Sequence, residues 1–132
     1  MSPSTLLAVT IDAVDPVALA DFWARALGVA VGERSTDAHG TTYVTVPVAG
    51  GTDLLLQQVA DPTPGKTRIH LDLQTDGSTR EAEIARLTDL GARVVDPAPD
   101  HPWVVLADPE GNAFCVLGRH GDQDGDRDRE PA

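Results

Sequence analysis

The chain has 132 residues and a mass of 13.9 kDa, which is the size of one small globular domain. A hydrophobic content of 41% excludes a wholly disordered chain, and a formal net charge of -11 disfavours a nucleic-acid-binding surface. The single cysteine, Cys115, excludes a disulfide framework, and the lack of a long apolar run or a leader pattern predicts a cytoplasmic protein that contacts no membrane.

The first half of the chain begins with a predicted strand and a predicted helix. In the run LLAVTID, Val9 and Ile11 share one face of the strand. Asp15 and Pro16 then supply an N-cap and a proline at the first helical position, and Gly28 is placed to end the helix in the left-handed conformation. The apolar face of this helix consists of Leu19, Phe22, Trp23, Ala26 and Leu27.

Three strand-like runs complete the first half. They lie around 29–34, 42–48 and 53–59. Gly50 and Gly51 supply the hairpin turn between the last two runs. The predicted order of elements in the first half is therefore β-α-β-β-β.

The second half opens after a linker at 60–67 that contains proline and glycine. The strand RIHLDL alternates an aliphatic face of Ile69, Leu71 and Leu73 with a polar face of His70 and Asp72. Ser78 and Glu81 are interpreted as a capping box, and the helix that they begin runs to Leu90 with Gly91 as its stop. Further strands are predicted near 92–95, 103–107 and 113–118.

The second half therefore repeats the order of the first. We predict an α+β fold in which two βαβββ repeats form a curved mixed sheet around a cleft. The domain spans 6–118, with modules at 6–59 and 68–118, and a disordered polar tail occupies 119–132. A ferredoxin-like sandwich is disfavoured because it has one strand fewer in each half.

Several short motifs carry a resemblance to a known family. They are Asp15-Pro16, Phe22-Trp23, Leu27-Gly28, Pro64-Gly65-Lys66, His70-Leu71-Asp72-Leu73, Trp103-Val104-Val105-Leu106, Asp108-Pro109-Glu110-Gly111-Asn112 and Phe114-Cys115. In these motifs the chain resembles the vicinal oxygen chelate superfamily, which includes glyoxalase I, bleomycin-resistance proteins and extradiol dioxygenases. The resemblance is closest to the bacterial glyoxalase-like domain branch. It implies the paired βαβββ fold but not a particular reaction, because the superfamily hosts many functions.

The resemblance also implies where a metal ion would be held. Metal-using relatives bind one divalent ion, and the corresponding ligand positions in this chain are Ala8, Gln57, His70 and Cys115. Ala8 has no donor atom, and the Cys115 sulfur is a poor match for the hard-ligand octahedral site of the family. We therefore expect no cofactor. The alternative is one divalent metal ion held by Gln57 and His70.

Polar and aromatic side chains indicate a small-molecule site. His70 and Asp72 lie on the strand face opposite the aliphatic residues, and His70 is the candidate catalytic group because an unperturbed imidazole titrates near neutrality. Trp103 follows a loop predicted at the rim of the cleft, where it could stack on a ligand. Cys115 lies in a strand of buried character and is interpreted as an inert hydrophobic residue. The candidate ligand-binding residues are Gln57, His70, Asp72, Trp103, Tyr43 and His101.

These patterns lead to two functional hypotheses. The first is a glyoxalase-like protein that binds or transforms a small metabolite or antibiotic without metal. The alternative is a metal-dependent glyoxalase-type lyase, isomerase or dioxygenase with Gln57 and His70 as ligands. In both cases we expect a homodimer that has a small-molecule ligand and no nucleic-acid or membrane partner.

Overall fold

The protein is described by a computed structural model over residues 3–65, 67–75 and 77–118. The chain divides into two compact units, Met1–Pro64 and Gly65–Ala132. The polar tail predicted at 119–132 lies outside the described residues. Within the described ranges, no helix has the length and apolar composition that crossing a bilayer requires.

The first unit contains one helix and four strands. The elements are β1 (Ala8–Ala13), α1 (Pro16–Leu27), β2 (Arg34–Thr36), β3 (Thr42–Val46) and β4 (Asp53–Gln58). The strand order is β1-β4-β3-β2, in which β1 and β4 are parallel and the other pairs are antiparallel. This is the βαβββ arrangement that the sequence predicts.

Local capping explains the bounds of α1. The Asp15 carboxylate accepts a hydrogen bond from the Ala18 N–H at 3.1 Å, and Pro16 occupies the first helical turn, where no backbone donor is needed. Gly28 ends the helix at φ 69° and ψ 34°, which is the left-handed conformation expected for it. Both sequence predictions for this helix are confirmed.

The helix buries its apolar face on one side of the first sheet. Leu19, Phe22 and Trp23 are at most 3% exposed, and α1 contacts β1, β3 and β4. The buried sheet residues include Val44, Val46, Leu54 and Leu56, which alternate with residues of the opposite face along β3 and β4. The helix therefore covers one face of this sheet. The opposite face carries Asp12, Gln57 and Tyr43.

The second unit repeats this arrangement. Its elements are β5 (Leu71–Gln74), α2 (Arg80–Leu90), β6 (Arg93–Asp96), β7 (Trp103–Ala107) and β8 (Ala113–Leu117). The strand order is β5-β8-β7-β6, with β5 and β8 parallel. Val104, Leu106, Phe114 and Val116 form a buried face at most 6% exposed, and α2 contacts β8 and β6. The predicted βαβββ repeat is confirmed.

The beginning of the second unit differs from the sequence prediction in two places. The pairing of β5 with β8 starts at Leu71 and Phe114, so His70 precedes the strand and Ile69, expected on the aliphatic face, is 81% exposed. The N-cap of α2 is Thr79 rather than Ser78, because the Thr79 hydroxyl is the one that accepts from the Ala82 N–H, at 3.1 Å. The capping-box interpretation was wrong by one residue.

Strand bounds also shift where the ladders begin. The run predicted at 29–34 forms a strand only from Arg34, and the run predicted at 92–95 forms β6 at 93–96. Ahead of β2, the Gly32 N–H donates to the Thr45 carbonyl at 2.8 Å and the Thr45 N–H donates to the Glu33 carbonyl at 2.8 Å. This stretch is therefore held against β3 by bonds outside the regular β2–β3 ladder.

Candidate ligand-binding face

The face of the second sheet opposite Val104, Leu106, Phe114 and Val116 brings three chemically different side chains together. Asp72 in β5 lies directly across from Cys115 in β8, and His70 precedes Asp72 by two residues on the same side. The His70 Nδ1 and Asp72 Oδ1 atoms are 3.2 Å apart. One donor atom each from His70, Asp72 and Cys115 lies within 4.8 Å of the others. We call this group the His70–Asp72–Cys115 cluster.

The His70–Asp72 contact defines the tautomer of the imidazole. An ionised carboxylate can only accept a hydrogen bond, so His70 Nδ1 must carry the proton that is shared with Asp72. In the neutral ring, Nε2 then holds a lone pair and serves as an acceptor or a base. The sequence alternation alone predicted that these two residues share a face, and their contact was not predicted.

An aromatic stack lies on the same side of the sheet. The rings of His101 and Trp103 have centroids 4.3 Å apart and an interplanar angle of 10°. Trp103 is 8% exposed and forms a small hydrophobic cluster with Ala98 and Cys115. The sequence predicted that Trp103 is exposed at the rim of the cleft. In the structure His101 is the exposed residue, and the indole of Trp103 is buried beneath its ring.

The loop that carries His101 is held by contacts that the sequence did not reveal. Arg80, the first residue of α2, donates from Nη1 to the Pro102 carbonyl at 2.9 Å and to the His101 carbonyl at 3.3 Å. At the other end of the loop, the Asp96 carboxylate accepts from the Ala98 N–H at 2.9 Å. No local pattern indicates Arg80, because its partners lie about twenty residues further along the chain.

In the first unit, the corresponding sheet face carries a polar row. The register places Asp12 opposite Gln57, and Gln57 opposite Tyr43. Gln57 and Tyr43 are half-buried, and Asp12 is exposed. Ala8 pairs with Asp53 at the other end of the strand, about 13 Å from Asp12 along the chain direction. Ala8 is therefore not the register neighbour of Gln57.

Asp12 occupies in the first unit the place that Asp72 occupies in the second. The pair Ile11-Asp12 in the first repeat corresponds in sequence to Leu71-Asp72 in the second. In the structure, Asp12 opposes Gln57 in β4 just as Asp72 opposes Cys115 in β8.

The hydroxyl of Tyr43 is already engaged by a turn of its own unit. It donates to Asp37 Oδ2 at 2.9 Å, while Asp37 Oδ1 accepts from the Thr41 and His39 N–H groups at 3.0 and 2.9 Å. The bond from Thr41 and then the bond from Tyr43 hold the pKa of Asp37 below its ordinary value. The same carboxylate raises the pKa of Tyr43 above its ordinary value.

The ligand set implied by the resemblance does not fit the hard octahedral ion of the metal-using relatives. Ala8 offers no donor atom and does not adjoin Gln57. His70 and Cys115 adjoin each other, but the third member of their cluster is Asp72, and one of the three donors is a sulfur. These donors therefore give no basis for a reaction step through an ion of that kind.

Comparison with known proteins agrees with the architecture. The model of the glyoxalase-like domain family matches residues 8–117. No match to the chain was found among curated protein sequences.

Solved structures with the same fold include binding, resistance and enzyme proteins. TnmS3, an antibiotic binding protein from Streptomyces sp. CB03234, is 25% identical, with 90% of this chain and 98% of that chain covered and a TM-score of 0.65. The fosfomycin resistance protein FosX from Listeria monocytogenes is 15% identical, with 93% and 97% covered and a TM-score of 0.71. Glyoxalase I from Leishmania major is 15% identical, with 88% and 87% covered and a TM-score of 0.65.

Proposed function

We propose that this chain, which belongs to the glyoxalase-like domain family, is a small-molecule-binding protein whose ligand contacts the second sheet on the face that carries Asp72 and Trp103. The observation that carries the proposal is the adjacency of a hydrogen-bonded His70–Asp72 pair and a stacked His101–Trp103 pair on that face. Binding sites for small molecules combine apolar or aromatic surface with a few fixed polar groups, and this face supplies both.

Each pair has a distinct role in the proposal. The exposed imidazole of His101, which stacks on the buried indole of Trp103, offers a flat surface for a planar part of the ligand. His70 offers Nε2 as an acceptor, and Asp72 keeps the ring in that tautomer. If the ligand is transformed and not only bound, His70 is the catalytic group, because it can accept a proton at Nε2.

The ligand class follows from the charge and from the fold relatives. A formal net charge of -11 favours a neutral or cationic ligand over an anionic one. TnmS3, at 25% identity over nearly the whole chain, is an antibiotic binding protein, which supports a small metabolite or antibiotic as the ligand here. We propose that the protein acts as a homodimer in the cytoplasm.

Tryptophan fluorescence tests the proposal directly. The chain has two tryptophans, so Trp23→Phe leaves Trp103 as the sole reporter. Chelator-treated protein is titrated with bleomycin, fosfomycin and a panel of planar heteroaromatic compounds. A saturable change in the Trp103 signal is expected for at least one compound, without added metal.

Two substitutions locate the binding. His101→Ala and His70→Ala are each expected to lower the affinity for the compound at least tenfold, because each removes one of the two contact types. His39→Ala is the matched control, since His39 is an exposed histidine of the first unit. Equal affinity in all three variants, or no saturable signal with any compound, would contradict the proposed function.

A further inference from the structure

We infer that Arg80 is a positioning residue for the candidate ligand-binding face, because from α2 it fixes the loop that places His101 on Trp103. The inference rests on the proposed function and deepens it, since it names what holds the aromatic surface in place before a ligand binds. Arg80 acts through the backbone carbonyls of His101 and Pro102 and not through contact with the ligand.

The loop at 97–102 is stiff along its own backbone. It contains three prolines, whose rings fix φ. The His101 N–H donates to the Ala98 carbonyl at 2.9 Å, and the Asp96 carboxylate accepts from the Ala98 N–H at 2.9 Å. These bonds join residues that are close in the chain, so they shape the loop without fixing its position relative to α2.

Packing secures the first part of the loop but not the end that carries His101. Within the described ranges, Ala98 is the one residue other than glycine with a positive φ, 43°, a conformation that persists only where the surroundings hold it. Ala98 is 5% exposed and packs with Trp103 and Cys115. His101 is exposed and stacks on Trp103 with one face of its ring. The position of His101 therefore depends on a further contact.

Arg80 supplies that contact from the first turn of α2. Its Nη1 donates to the Pro102 carbonyl at 2.9 Å and to the His101 carbonyl at 3.3 Å. The side chain of Arg80 is 24% exposed, and Pro102 is buried, so water only partly reaches the shorter bond. Nε and Nη2 donate to Glu81 Oε1 at 3.2 and 3.0 Å, which orients the guanidinium plane. A lysine, with its single nitrogen, reproduces only part of this arrangement.

A fixed aromatic surface lowers the entropy that is lost when a ligand binds. Without the bonds from Arg80, the end of the loop can move away and carry the His101 ring off the indole. A ligand that stacks on this surface must then order the loop itself, and its affinity falls by that cost. The same movement uncovers Trp103, so the role of Arg80 is visible in the ligand-free protein.

Acrylamide quenching of Trp103 tests the inference without any ligand. In the Trp23→Phe background Trp103 is the sole tryptophan, and it is 8% exposed. Arg80→Met keeps the aliphatic stem, removes the donors and is expected to raise the quenching constant about twofold or more. Arg80→Lys is expected to give an intermediate value, and it keeps the test valid if Arg80→Met fails to fold. A merely structural role would lower the unfolding midpoint and leave quenching of the native protein unchanged, which would overturn the inference.

Arg86→Met is the matched control. Arg86 lies on the same helix and pairs with Glu83 at 2.8 Å, as Arg80 pairs with Glu81 at 3.0 Å. The variant is expected to leave quenching of Trp103 within experimental error. An equal rise in the two methionine variants would assign the effect to α2 as a whole and would overturn the role of Arg80.

The ligand titration separates this inference from the proposed function. For a compound that binds the Trp23→Phe protein, Arg80→Met is expected to lower the affinity by about three- to tenfold, because the ligand must order the loop. Arg86→Met is expected to bind normally. Normal affinity in Arg80→Met would overturn the inference and leave the proposed function standing. If no compound binds, the proposed function fails, and quenching still decides whether Arg80 positions His101 on Trp103.

Discussion

Replacing Asp108 by alanine is expected to destabilise the protein substantially, because this carboxylate holds the turn between β7 and β8. Asp108 is 2% exposed. Its Oδ1 accepts from the Glu110 N–H at 2.9 Å and from the Asn112 N–H at 3.0 Å. The Asn112 side-chain amide donates to both carboxylate oxygens, at 3.1 and 2.9 Å. The turn positions β8, and with it Cys115.

The magnitude follows from the donors that lose their acceptor. Removing a buried acceptor leaves its donors unpaired, at about 1–3 kcal/mol for a well-buried group. Glu110 and Asn112 are only half-buried, so water can reach part of the space that the carboxylate vacates. Three donor groups that are partly rehydrated give an expected loss of roughly 2–4 kcal/mol in the free energy of unfolding.

Asp37 provides a matched control. Its carboxylate also holds a turn, by accepting from His39, Thr41 and Tyr43, but it is exposed to solvent. Asp37→Ala is expected to cost much less, because water replaces each lost bond at once. Urea unfolding followed by circular dichroism, with both variants at one pH, measures the difference.

The comparison can refute the reasoning in two ways. A loss below about 1 kcal/mol for Asp108→Ala would show that its bonds are worth little despite burial. An equal loss in the two variants would show that burial does not set the cost of a lost carboxylate in these turns. Neither result would depend on the identity of the ligand.

Three further predictions concern the site and the assembly. Tyr43 is the sole tyrosine, so tyrosinate absorbance should report its raised pKa directly, and Asp37→Asn should lower that pKa towards its ordinary value. The stability that this bond contributes should be complete below the ordinary pKa of tyrosine and should be lost as pH rises through the raised pKa. His70→Ala should weaken ligand binding at little cost in stability, whereas Leu71→Ala, half-buried on the opposite face, should cost roughly 1–3 kcal/mol with binding intact; the reverse would invert the assigned faces. Light scattering should give twice the 13.9 kDa chain mass, and a concentration-independent monomer would exclude the homodimer.

The sequence by itself determined the elements and their order. Asp15 and Gly28 bound α1 through contacts within a few residues, and the repeat of β-α-β-β-β followed from such local signals. The opposite faces of Leu71 and Asp72 also followed from the sequence, because alternation along one strand is a local property. The N-cap of α2 at Thr79 was missed by one residue because Ser78 carries the same hydroxyl chemistry.

Only the tertiary structure decided which side chains from different strands meet. Cys115 was interpreted as an inert buried residue because it lies in a strand of buried character, and the parallel register of β5 and β8 places it opposite Asp72 and beside His70. The same register in the first unit makes Asp12, and not Ala8, the neighbour of Gln57. Register between strands distant in sequence depends on the packing of the whole sheet, and a slip of one residue would turn every one of these side chains to the opposite face.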